Sequence, residues 1–157
     1  MKYFKVSEFT YSATAKQYNI SNKCEQWQID NVIEMVDELL DSLREAWGEY
    51  CKQNNLGNPA LRVTSGIRSK KLNEFVGGSK TSSHYIGSAA DLVPFNGKLL
   101  EFKLFCIEWL KDKSFDQFIS EDEVNGVPSW IHIGYKRYDG SKRHQFKKMV
   151  NDKYYPI

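Results

Sequence analysis

Eight apolar residues constrain the fold of this chain more than any other feature. Ile29, Val32, Ile33, Val36, Leu39, Leu40, Leu43 and Trp47 recur at steps of mostly three and four residues. That spacing places them on one stripe of a long amphipathic helix over residues 25–53. Asn22 followed by Glu25 supplies a capping signal at its start. Asn54-Asn55-Leu56-Gly57-Asn58-Pro59 ends it with turn chemistry. The stripe reads as a core face rather than a partner-binding face, and a core face needs a second layer.

The rest of the chain supplies that layer. Leu61-Arg62-Val63-Thr64-Ser65 alternates like a short strand. Residues 69–75 suit a short helix, Gly77-Gly78-Ser79 a turn, and 89–93 a strand closed by Pro94 and Asn96-Gly97. Residues 99–111 form a second amphipathic helix. Residues 115–120 and 130–135 read as two strands joined at Asn125-Gly126. Residues 1–22 read as an N-terminal arm and 136–157 as an irregular tail. No repeat, low-complexity tract or linker divides the chain. The expectation is one α+β domain over 1–157: a small antiparallel sheet packed against the long N-terminal helix and the second amphipathic helix.

Charge and cysteine content narrow the function. Twenty-two basic and 20 acidic residues leave a net charge of +2, which makes no electrostatic case for nucleic acid. Cys24, Cys51 and Cys106 are odd in number and far apart, so they fit neither a disulfide framework nor a cysteine zinc site. A reducing compartment is the simpler reading. The start MKYFKVSEFTYSATAK has no apolar core of the signal-peptide type, and no stretch reaches membrane-spanning length. The expectation is a monomer made in the cytoplasm, with neither membrane nor nucleic acid as partner.

The chemistry concentrates in two places. His84 and Asp91 stand seven positions apart in Ser82-Ser83-His84-Tyr85-Ile86-Gly87-Ser88-Ala89-Ala90-Asp91. A loop leading into a strand can bring both to one point, with Gly87 permitting tight backbone. In Trp130-Ile131-His132-Ile133-Gly134-Tyr135, strand alternation turns His132 away from Ile131 and Ile133. Two histidines and one aspartate meet the three-ligand count of a catalytic zinc site with one open position. Spacing alone leaves a purely structural histidine open as the alternative. His144, in a polar tail segment, reads as a solvated surface residue.

These residues resemble a known family. The pattern S-x-H-x-x-G-x-A-x-D followed by W-x-H is similar to that of the zinc D-alanyl-D-alanine carboxypeptidases and murein endopeptidases, which include phage endolysins. Ser82, His84, Gly87, Ala89, Asp91, Trp130 and His132 carry it. Thr64-Ser65-Gly66-Ile67-Arg68-Ser69, Asn73 and Gly77-Gly78-Ser79 resemble the family's upstream elements. Phe9-Thr10, Ser12-Ala13-Thr14-Ala15 and the helix end Leu43-Arg44-Glu45-Ala46-Trp47-Gly48 resemble a phage-associated branch. The resemblance implies a hedgehog-like DD-peptidase fold and a zinc peptidase that hydrolyses peptidoglycan stem peptides at the cell wall with zinc-activated water. It implies His84, Asp91 and His132 as metal ligands, Arg68 facing a substrate carbonyl or carboxylate, and Ser82 hydrogen-bonding substrate. A structural salt bridge for Arg68 and a loop-shaping role for Ser82 stay open.

One position departs from the family. The residue three before the last histidine is commonly Glu or Asp, acting as general base, and here it is Ser129. Glu121 is the best replacement, because a hairpin of the last two strands brings it near Trp130. Asp116, Asp122 and Glu123 are weaker choices, and a merely solvated charge is the alternative for all four. Trp130, Tyr85 and Tyr135 are expected to wall the cleft, or else to be core. Without a base, the chain is instead a non-catalytic module binding peptidoglycan or a partner, or a phage structural protein.

Overall fold

The computed structural model describes residues 1–157. Two short helices open the chain, α1 (Val6–Thr10) and α2 (Ala13–Gln17), so the N-terminal arm is more regular than its sequence suggested. Ser12 caps α2 by accepting from the Ala15 amide at 3.1 Å. The long helix follows as α3 (Gln26–Met35), one π-helical turn over Val36–Leu40, and α4 (Asp41–Gln53). Its cap differs from the sequence reading. Gln28 reaches back to accept from the Glu25 amide at 2.9 Å. Asn22 instead ties three segments together. It donates to the Thr10 and Ile67 carbonyls at 2.8 and 3.1 Å and accepts from the Ser69 amide at 2.7 Å.

The remaining helices are α5 (Lys70–Phe75), capped by Ser69, and α6 (Leu99–Leu110). Six strands form one sheet: β1 (Leu61–Ser65), β2 (Ala89–Pro94), β3 (Gln117–Glu121), β4 (Trp130–Gly134), β5 (Gln145–Val150) and β6 (Lys153–Pro156). Their spatial order is β1-β2-β4-β3-β5-β6. The β3–β4 hairpin turns at Asn125 and Gly126, both at positive φ as its tight turn requires.

Two expectations are corrected here. The sheet is mixed, because β5 lies parallel to β3 while every other neighbour is antiparallel. The tail is not irregular, because residues 145–156 form a hairpin that adds two strands. Its turn residues Asn151 and Asp152 have φ of 49° and 59°. Asn and Asp tolerate that region through their short polar side chains. The lysines of Gln145-Phe146-Lys147-Lys148-Met149-Val150 obscure the strand, yet charge is what a sheet edge tolerates best.

Pleat alternation gives the sheet two unlike faces. Ala90, Leu92, Phe118, Ile131 and Ile133 face the helices and join a buried core with Val32, Met35, Val36, Leu40, Leu43, Trp47, Phe102 and Leu110. Trp47 is fully buried and packs edge-on against Phe102 with ring centres 5.0 Å apart, which joins α4 to α6. Each such large apolar side chain contributes about 1.5–3 kcal/mol by leaving water. The long stripe is therefore core, as expected, apart from Ile29 and Ile33, which stay half-buried. No helix is long and apolar enough to cross a membrane. The opposite sheet face has no helical layer and carries the polar residues of β2, β3 and β4.

Candidate metal centre

Register brings the polar groups together on that open face. Asp91 of β2 pairs directly with His132 of β4, and Ile119 of β3 lies on the other side of His132. The Asp91 Oδ1 atom lies 2.9 Å from His132 Nδ1 and 3.3 Å from His84 Nε2. One nitrogen from each histidine and one Asp91 oxygen all lie within 4.8 Å of one another, so the three can hold a metal ion. The donor set suits zinc, which takes imidazole nitrogen and carboxylate oxygen. His84 shows a second fitting feature. Its Nδ1 lies 2.8 Å from the Gly66 carbonyl, so Nδ1 donates there and Nε2 stays free as a ligand.

The His84 loop is held from behind by the long helix. Gln28 donates to the Arg68 and Tyr85 carbonyls at 3.1 and 2.5 Å, and Asn31 donates to the Ile86 carbonyl at 2.8 Å. Sequence reading missed both residues, since polar positions beside an apolar stripe look like solvated surface. Two glycines permit this packing. A Cβ on Gly66 would lie 2.5 Å from the Phe9 carbonyl oxygen. A Cβ on Gly87, whose φ is +74°, would lie 2.3 Å from the Gln28 carbonyl oxygen. Gly87→Ala is therefore expected to cost at least about 1–3 kcal/mol. Thermal unfolding should show the melting temperature falling by several degrees, and an unchanged value would refute the close approach.

The three residues line a cleft of about 470 Å³ together with Arg68, Ser82, Glu121 and Trp130. Ser82 and Arg68 therefore line the same cleft as the three candidate ligands. Arg68 has no carboxylate partner within ion-pair distance, which removes the salt-bridge alternative. Burial lowers the pKa of its guanidinium and Asp91 partly offsets this. Of Trp130, Tyr85 and Tyr135, only Trp130 lines the cleft. Tyr85 packs edge-on against Trp27 at 5.9 Å, and Tyr135 is buried in the core.

The four carboxylates separate cleanly. Asp116 is fully buried and paired to Arg143 through two bonds of 2.8 and 2.7 Å. Glu123 is held by Lys103 and accepts from Ser120 at 2.5 Å. Asp122 is exposed and accepts from the exposed Ser129 at 3.3 Å. Glu121 has no hydrogen-bond or ion-pair partner, is only 7% exposed and faces the cleft beside Trp130, its cross-strand neighbour.

The electrostatics follow from this crowding. Burial alone would push the Asp91 carboxyl up, but the His84 and His132 rings overturn that and hold it well below the usual carboxylate range. Glu121 moves the other way. Burial pushes its pKa up, Asp91 and Asp122 add to the rise, and His132 only partly opposes it. His144 stays out of the group, its ring tilted against Phe115 with ring centres 4.7 Å apart. The cleft also contains residues that the sequence did not reveal: Gln117 of β3, Met149 of β5 and Tyr154 of β6.

A family model described as Peptidase M15 matches residues 2–133. The match contains His84, Asp91, Glu121 and His132 and ends before β5 and β6. No curated protein matches the chain.

Proposed function

The chain belongs to the Peptidase M15 family, and from that premise we propose that it is a zinc peptidase that hydrolyses peptide bonds of bacterial peptidoglycan stem peptides. The observation that carries the reading is the meeting of His84, Asp91 and His132 within 4.8 Å, beside an unpaired carboxylate in one open cleft.

In this reading His84 Nε2, His132 Nδ1 and the Asp91 carboxylate hold the metal. Zinc, when bound, polarises the substrate carbonyl and makes water more acidic. Glu121 accepts the proton of the attacking water and returns one to the leaving amine. Arg68, with no carboxylate at ion-pair distance, offers its planar donor fork to the negative charge that grows on the carbonyl oxygen, or to a substrate carboxylate. Ser82 hydrogen-bonds the bound peptide from the loop wall. The binding-module alternative drew its support from Ser129, and the placement of Glu121 weakens it.

The test uses purified muropeptides and mass spectrometry. The zinc-loaded chain should release new peptide fragments, chelator should stop this, and added zinc should restore it. Muropeptides left intact by fully zinc-loaded protein would sink the proposal.

A further inference from the structure

The cleft extends well beyond the three candidate ligands. Asp91 and His132 lie on β2 and β4, towards one edge of the sheet, whereas the lining continues across β3 and β5 to β6. Three strand spacings of about 4.8 Å separate β4 from β6, a span of roughly 14 Å. An extended peptide covers that distance with on the order of four residues. The far end of the cleft is built by the C-terminal hairpin, which lies outside the residues matched by the family model. Met149 and Tyr154 are directly paired across that hairpin and so share the cleft face. Tyr154 is 56% exposed, with no protein partner for its hydroxyl. It is a free donor on a wall where Glu121 and Asp91 are acceptors.

We propose that the β5–β6 hairpin forms a remote peptide subsite, in which the Tyr154 hydroxyl donates a hydrogen bond to a substrate residue several positions from the cleaved bond. The inference rests on the peptidase reading and sharpens its substrate class. The cleft takes an extended peptide rather than a terminal dipeptide alone. Tyr155, on the same strand and facing away from the cleft, has no such role.

Binding is measured by calorimetry on the zinc-loaded full chain carrying Glu121→Gln, so that no substrate is consumed. The probes are a pentapeptide muropeptide and D-Ala-D-Ala. Adding Tyr154→Phe should raise Kd for the muropeptide about tenfold, as expected for one lost hydrogen bond. Kd for D-Ala-D-Ala should stay the same, and Tyr155→Phe should change neither. In the active chain, Tyr154→Phe should raise KM and leave kcat unchanged. Zinc content and melting temperature are recorded for each variant. An unchanged muropeptide Kd, an equal loss for both probes, or a loss of zinc would overturn the subsite. Absence of turnover in the parent chain, with the Tyr154 effect on Kd intact, would overturn the peptidase reading and leave the subsite standing.

Discussion

Glu121→Gln is expected to lower kcat about 10²–10⁴-fold while the protein keeps its zinc. That range is typical for removal of a positioned general base. The amide has nearly the same shape and polarity as the carboxylate, so the cleft wall and the pairing with Trp130 survive. What it lacks is the ability to take a proton from water. Stability should not fall. Burial raises the Glu121 pKa in the folded, metal-free protein above its unfolded value. The fold therefore holds that proton more tightly, and stability from this group is present at low pH and lost as pH rises through the folded pKa. At neutral pH the neutral amide removes that penalty. Activity within tenfold of the parent would show that another group moves the proton. Ser129→Glu on the Glu121→Gln background checks the alternative position, and no recovery is expected, because Ser129 is exposed and bonded to Asp122.

His84→Ala and His132→Ala are expected to abolish stoichiometric zinc. Removing a supporting residue typically costs 10–100-fold in metal affinity, and removing a ligand costs more. Metal analysis after dialysis should find well under one zinc per chain, with turnover lost in parallel. The two variants differ in their side effects. His84→Ala also leaves the buried Gly66 carbonyl without its donor, so it should lower the melting temperature of the metal-free protein. His132→Ala removes a contact to Asp91 on the cleft wall and leaves no backbone group without its donor, so it should be milder in that respect. Full zinc occupancy in either variant would refute the ligand assignment.

Legibility from sequence varied with the kind of signal. The long helix was clear because its apolar period runs through many residues, and only its cap was misread: Asn22 had the right chemistry for a cap but serves three backbone groups elsewhere. His132 was correctly turned away from the core because strand alternation is strict. The hairpin of β5 and β6 was hidden because charged edge strands lack an apolar alternation, although Asn151-Asp152 was an available turn signal. Gln28 and Asn31 were hidden for a different reason. Their partners are backbone carbonyls of the His84 loop, and no local pattern announces a contact across about 55 residues.

The sequence by itself determined the ingredients of the site: two histidines and one aspartate of the right type, set on a loop and two strands with glycines at the close approaches. Local chemistry and periodicity carry that much, since they depend on neighbours a few positions away. The tertiary structure decided which carboxylate stands unpaired in the cleft. Asp116, Asp122, Glu121 and Glu123 sit close together in the chain, and the sequence favours Glu121 only through the expected hairpin without showing the partners of any of them. Only folding pairs Asp116 with Arg143 and Glu123 with Lys103, turns Asp122 out to solvent, and leaves Glu121 unpaired beside the metal group. The physical reason is that a carboxylate's role is set by its partners and its exposure to water, and both come from distant residues.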